Sequence, residues 1–211
     1  MNTHLFQGAL VKLVAADAEA DAPLMARWSH DTEFRRQLDS QPARLWIASE
    51  LKGELEQELA AEAYNVTFFI RTLAEDRPIG FVGLDGISWT HGEAFVGIGL
   101  GDPDYRGKGY GTDAMRVILR YAFVELNLHR VSLTVYEYNP RAIRSYEKNG
   151  FVTEGRQRGY LHRDGRRWDM LYMGILKEEW EKSQNLADPR SGAKGTNPKL
   201  HSEQTPEAAL R

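Results

Sequence analysis

Glycine stands at every second position in the run Arg106-Gly107-Lys108-Gly109-Tyr110-Gly111, and no other stretch restricts the fold of this chain so strongly. Residues 94–100 before it have the composition of a strand, whereas Met115, Ile118, Leu119, Ala122, Phe123 and Leu126 after it recur at helical intervals. Val131, Leu133 and Val135 then alternate at strand spacing. The pattern predicts a strand, a turn, a helix beginning near Thr112 and a second strand, a unit whose two strands can lie parallel. Glycine lets the backbone turn sharply and lets a ligand approach the amides with no Cβ in the way. The unpaired amides of a helix's first turn, with a dipole worth about half a positive charge, favour an anion such as a phosphate. Arg106 and Lys108 add positive charge at the same place.

Glycines also end strands and permit close packing, so the turn alone leaves that plain reading open. Two nucleotide-binding patterns fail on the residues themselves. A P-loop needs Gly-Lys-Ser/Thr, and Gly109-Tyr110-Gly111-Thr112 has no lysine in that place. The glycine spacing is too tight for a dinucleotide fingerprint, which also needs an acid closing its second strand.

The rest of the chain supports a single domain. At 211 residues it is long enough to bury roughly 70% of its unfolded surface. Residues 22–59 read as two helices broken at Ser40-Gln41-Pro42. Residues 65–72, 78–87 and 94–100 read as three strands of an antiparallel meander. Asn139-Pro140 supplies a helix cap and a first-turn proline, and Asn149-Gly150 a left-handed stop. Asp164-Gly165 marks a hairpin between two later strands. Beyond residue 184 large apolar side chains almost disappear, which predicts a domain over residues 1–184 and a flexible tail over 185–211.

Composition excludes several classes of function. The formal charge is −3 with both signs spread along the chain, so neither nucleic acid nor a membrane surface is an expected partner, and a small-molecule or peptide substrate fits better. There is no cysteine, which removes disulfides, thiolate metal ligands and any acyl intermediate on an enzyme thiol. His4, His30, His91, His129, His162 and His201 show no ligand spacing, and no metal is expected. The first twenty residues lack the basic flank and apolar core of a secretory signal, and the expected location is the cytoplasm.

Arg106, Gly109 and Gly111 fill the pattern Arg or Gln, two residues, Gly, one residue, Gly or Ala. With Gly97-Ile98-Gly99-Leu100 before it, Asn139-Pro140-Arg141-Ala142 and Ser145-Tyr146-Glu147-Lys148-Asn149-Gly150-Phe151 after it, and the strand around residues 169–173, the chain resembles the GNAT superfamily of acyltransferases over roughly residues 10–180. The branch it looks most like includes ribosomal-protein and polyamine N-acetyltransferases. The resemblance implies an α/β domain with a mixed, splayed central sheet flanked by helices. It also implies direct transfer of acetyl from acetyl-CoA to a primary amine: a peptide or protein N-terminus, an amino acid or a polyamine. The backbone of Ile98, Gly99 and Leu100 would pair with the pantetheine arm, and Arg106, Gly107, Lys108, Gly109, Tyr110, Gly111 and Thr112 would wrap the diphosphate. Asn139 would touch the arm from the far side of the splay, and Tyr146 would protonate the departing thiolate. A homodimer stays open.

Each role has a plainer competitor. Tyr146 also fits a helix-face aromatic packed on the sheet, and Asn139 is already explained as a cap. Many relatives carry a carboxylate near the position of Phe95; here the acid on the same strand face is Glu93, which equally fits a surface acid at a strand end. Without a strong base, a lysine-type amine costs about 4 to 5 kcal/mol to deprotonate at neutral pH and an α-amine about 1, which favours the α-amine as acceptor. Trp28, Trp46, Trp89 and Trp168 read as core or pocket wall. Two other functions stand beside transfer: a non-catalytic acyl-CoA binding module, and a nucleotide-phosphate binder using the same turn.

Overall fold

In the computed structural model, which describes residues 4–61 and 63–187, seven strands form one sheet in the order β1-β2-β3-β4-β5-β7-β6. The strands are β1 (Val11–Ala15), β2 (Val66–Thr72), β3 (Pro78–Ser88), β4 (Glu93–Gly99), β5 (Arg130–Tyr136), β6 (Val152–Arg163) and β7 (Arg166–Leu176). The expected meander is β2, β3 and β4, antiparallel throughout. The expected hairpin joins β6 to β7, with Asp164 at φ 52° and Gly165 at φ 72°, as a tight primed turn requires. β1 was not foreseen. It pairs antiparallel with β2 from Val11 opposite Thr72 to Ala15 opposite Phe68, and its five residues are too short a run to announce themselves.

Helices cover both faces. The region expected to hold two helices holds three: α1 (Ala18–Ser29), α2 (Thr32–Leu38) and α3 (Ala48–Ala60). The extra break falls at Asp31, whose Oδ1 accepts from the Phe34 amide at 3.1 Å and so starts α2 directly after α1 ends. Trp28, Phe34 and Leu55 from these helices pack against Phe69 on one sheet face. On the other face, α4 (Tyr110–Arg120) buries Met115, Ile118 and Leu119 against Val82, Leu84, Val96 and Leu133, and continues into a wider π-type turn, Tyr121–Glu125, that buries Phe123. The short α5 (Pro140–Glu147) leans Ala142, Ile143 and Tyr146 on the same core. α6 (Lys177–Ala187) runs three residues past the expected domain boundary at 184, and the remainder of the expected tail lies outside the described residues. No helix among the described residues is long and apolar enough to cross a membrane.

The feature that positions the site is an interruption in the sheet. β4 and β5 run parallel and pair only at Glu93 with Arg130, Ala94 with Val131 and Phe95 with Ser132. Beyond that third rung β4 continues to Gly99 and β5 to Tyr136, but each is held only by its other neighbour, β3 and β7. The sheet is therefore mixed and splayed, as the resemblance implied.

Asp113 ties the amino terminus to α4. Its buried carboxylate accepts from the amides of Ala9, Leu10 and Val11 at 3.1, 2.7 and 3.1 Å. A Cβ at Gly8 would collide with that carboxylate, so the approach needs glycine. Asp113→Ala leaves buried amides without acceptors and is expected to cost about 3 kcal/mol in urea unfolding, with Asp113→Asn losing less. A loss under 1 kcal/mol for the alanine variant would contradict this account of β1.

Candidate active site

A cavity of about 550 Å³ fills the splay. Phe95, Gly97, Ile98, Gly99 and Leu100 of β4 and its continuation form one wall, and Thr134 and Val135 of β5 the other. Phe34, Gln37 and Leu38 of α2 close one end, and the glycine turn with α5 closes the opposite end. The cavity therefore passes through the sheet plane and opens towards both helical layers.

The turn is built in two steps. Pro103–Tyr105 makes a single 3-10 turn, capped by Asp102 Oδ1 accepting from the Asp104 amide at 3.1 Å. Gly107 and Gly109 then adopt φ 73° and 92°, a left-handed conformation that side chains with a Cβ rarely take. A Cβ at Gly107 would meet only open space, so glycine is required there by its backbone angle and not by crowding. The first helical bond of α4 is Asp113 to the Gly109 carbonyl. Among the described residues, the amides of residues 107–112 donate to no protein acceptor, leaving six donors in a row at a helix start.

The side chain of Arg106 does not contribute free charge to this turn, contrary to the sequence expectation. Its Nε donates to the Leu100 carbonyl at 2.8 Å, Nη2 to the Gly101 carbonyl at 2.7 Å, and Nη1 to Asp31 Oδ2 at 2.6 Å. Burial works upward on Asp31, but the bond to Arg106 and those to the Phe34 and Glu33 amides outweigh it and hold the carboxyl below the usual range. Arg106 is thus a strut joining the end of β4, the turn and the start of α2. Lys108 is exposed and Tyr110 packs edge-on against Tyr105, with ring centroids 5.0 Å apart; neither lines the cavity.

The cations at the cavity other than Arg106 come from α5 and its C-cap. Arg141, Arg144 and Lys148 line it from one face of that helix, at intervals of three and four residues that were legible in the sequence and passed over. Asn139 Oδ1 accepts from the Ala142 amide at 3.1 Å, so the cap expected there exists, and the buried side chain also lines the cavity. Thr112 Oγ1 and Ser145 Oγ lie 2.8 Å apart and join α4 to α5 along the cavity wall. Tyr146 lines the cavity and packs edge-on against Phe151, and burial pushes its phenol up to about 12. The hydroxyl has no protein hydrogen-bond partner among the described residues.

The expected base is elsewhere. Glu93 is exposed at the start of β4, on the paired stretch beside Arg130, and is absent from the cavity wall. The carboxylate that does line the cavity is Asp85 of β3, directly opposite Phe95. Sequence reasoning missed it, although it is the one charged residue between Pro78 and Ser88. Among the described residues no group of three or more His, Asp or Glu is placed to hold a metal ion.

Comparison with known proteins agrees with this geometry. A model of the acetyltransferase (GNAT) domain matches residues 11–152. The chain is 30% identical over 161 residues to the SPbeta prophage-derived N-acetyltransferase YokL of Bacillus subtilis, covering 72% of this chain and 84% of that one. It is 35% identical over 112 residues to a spermidine N(1)-acetyltransferase of Vibrio cholerae, covering 53% and 64%. Among solved structures, spermidine N-acetyltransferase from Vibrio cholerae in complex with CoA and spermine superposes with a TM-score of 0.72 at 26% identity, over 81% of this chain and 98% of that one.

The strut has a testable consequence. Arg106→Lys keeps the charge but not the three-way geometry, and is expected to lose about 2 kcal/mol of stability at pH 7. Because the folded-state pKa of Asp31 is lowered, its contribution is present above the unfolded value near 4 and is lost as pH falls through the folded value. The gap between parent and variant should therefore narrow at acid pH without closing, since the two bonds to carbonyls remain, and a gap that stays constant from pH 7 to pH 3 would contradict the ion pair's role.

Proposed function

The chain belongs to the GNAT acetyltransferase family, and from that premise we propose that its cavity holds acetyl-CoA across the splay while a primary amine enters from the α2 side. The activity is acetyl-CoA dependent N-acetylation of amines. The observation that carries the site assignment is the cavity itself, which joins the turn at Gly107, Gly109, Gly111 and Thr112, where the backbone amides are free, to a tyrosine hydroxyl on α5 that has no partner among the described residues.

The residues present fit the cofactor's chemistry. A diphosphate matches the free amides of residues 107–112 at the positive end of α4, and Arg144 and Lys148 offer neutralising charge from α5. An amide-bearing arm matches the edge of β4 at Ile98, Gly99 and Leu100, where the neighbouring strand has moved away. Asn139 keeps its side-chain amide for the arm while its oxygen caps α5. A thioester supplies an acyl group already activated towards amines. The chain's task is accordingly to orient, and effective molarities for well-oriented groups account for several orders of magnitude of rate.

Tyr146 supports the exit of the thiolate. Its raised pKa keeps the hydroxyl protonated throughout the neutral range, so a donor is present whenever negative charge develops on sulfur. The acceptor is a small-molecule or peptide primary amine. Polyamines are included in that proposal because the Vibrio cholerae relatives are named for spermidine.

Thiol release from acetyl-CoA, measured with a panel holding a peptide α-amine and a polyamine, tests the reading. Turnover is expected with at least one member, and Tyr146→Phe should lower kcat by about 10²-fold while CoA affinity stays within about threefold. A parent protein that binds acetyl-CoA but releases thiol with no amine would instead make the chain a non-catalytic binding module.

A further inference from the structure

The position where relatives commonly place a carboxylate holds Phe95, which is 48% exposed and lines the cavity. The residue directly across the ladder is Asp85, paired Cα to Cα with Phe95. Directly opposed residues of an antiparallel pair project from the same sheet face, so a carboxylate on β3 emerges beside the place where β4 lacks one.

Three local features aim Asp85 into the cavity. Gly97 is the next residue of β4 on that face, and a Cβ there would lie 3.6 Å from Asp85 Oδ2, so the carboxylate leans towards the splayed end of the strand. The register between β3 and β4 slips immediately after this rung, between Asp85 and Ser88, and such bulges re-aim side chains. Gly86 follows with φ 60°, which makes the irregularity possible without strain.

Asp85 also lacks the marks of a structural carboxylate. Asp31 is paired with Arg106, and Asp113 accepts from three amides, whereas Asp85 has no hydrogen-bond or ion-pair partner among the described residues. Among the described residues it is the single carboxylate on the cavity wall, whose other titratable groups are Arg106, Arg141, Arg144, Lys148 and the Tyr146 phenol. Asp85 is itself exposed at the cavity mouth, but the protein atoms crowded around it raise its carboxyl above the ordinary value, and the charge of Glu58 on α3 adds to the push. A carboxyl held above its ordinary value is a stronger base.

We propose that Asp85 is the general base of the transfer, taking from β3 the role that an acid on β4 plays in relatives. This rests on the acetyltransferase reading above. The amine lone pair forms the new C–N bond at the thioester carbonyl, and the surplus N–H proton of the adduct passes to the Asp85 carboxylate. The C–S bond then breaks, and the thiolate takes the proton of Tyr146. Solvent returns the proton from Asp85 to the tyrosinate, so the net products are one amide and one free thiol. Asp85 takes the proton of the adduct and not that of the free ammonium, so a high-pKa amine still has to lose its own proton before it attacks.

Three readouts on Asp85→Asn and Asp85→Glu test the assignment. Asp85→Asn should lower kcat/KM by about 10²-fold at pH 7, and Asp85→Glu should restore part of it. The pH profile of the parent should show an acid-side ionisation beyond that of the amine, and in Asp85→Asn that ionisation should vanish. Because the folded pKa of Asp85 is raised, its stabilising contribution exists only at low pH and is lost as pH rises through the folded value, so the ionised form weakens the fold at neutrality. The Tm of Asp85→Asn at pH 7 should therefore equal or exceed the parent's, with CoA affinity within threefold. An active parent with Asp85→Asn within threefold of it and an unchanged profile would overturn the base assignment alone. A loss accompanied by a lower Tm or weaker CoA binding would make Asp85 structural and overturn it as well. A parent that acetylates no amine would overturn both this inference and the acetyltransferase reading.

Discussion

The guanidinium of Arg106 holds together the parts of this protein that must not move relative to one another. Two of its bonds go to the carbonyls of Leu100 and Gly101, where β4 ends, and the third crosses to Asp31, which caps α2. Phe34 lies against the same group, 5.3 Å from ring centre to guanidinium carbon. Arginine suits the position because its planar fork donates in three directions at once. With the strut in place, the backbone can leave β4, pass through two left-handed glycines and begin α4 with its amides unspent.

The electrostatics divide along the same lines. A charge locked into an ion pair gives rigidity but little attraction, and the other cations that line the cavity sit one helix away, on α5 and its C-cap. That helix also presents Tyr146, and its caps are Asn139 and Lys148, so α5 with its two caps brings cations, a phenol and a side-chain amide to the cavity wall. Its apolar face reaches the core through Ala142 and Ile143. Across the cavity, β3 and β4 present Asp85 and Phe95 as a cross-strand pair, one polar and one apolar, at the last rung before the sheet opens.

Local chemistry made much of this legible in the sequence. The glycine turn, the Asn139 cap, the Asp164-Gly165 hairpin and the change from strand to helical period all act over a few residues, and the structure has each of them. What escaped was non-local. The pairing of Arg106 with Asp31 spans 75 positions, and nothing at either residue announces the other. Asp85 matters because of what stands across the ladder from it, which depends on register and on a bulge that periodicity does not encode. The break between α1 and α2 was hidden because Asp31 and its neighbours are compatible with a continuous helix until the cap is seen.

The central physical proposal is that free backbone amides at the start of α4 hold the diphosphate of coenzyme A, with Arg144 and Lys148 adding neutralising charge. Amide proton and nitrogen shifts followed by NMR, while CoA and then pantetheine are titrated into the full chain, address it directly. Large downfield shifts at Gly107, Lys108, Gly109 and Gly111 with CoA, and small ones with pantetheine, are the expected result. Saturating CoA that shifts residues of β4 and α5 but leaves these four amides unmoved would contradict the account.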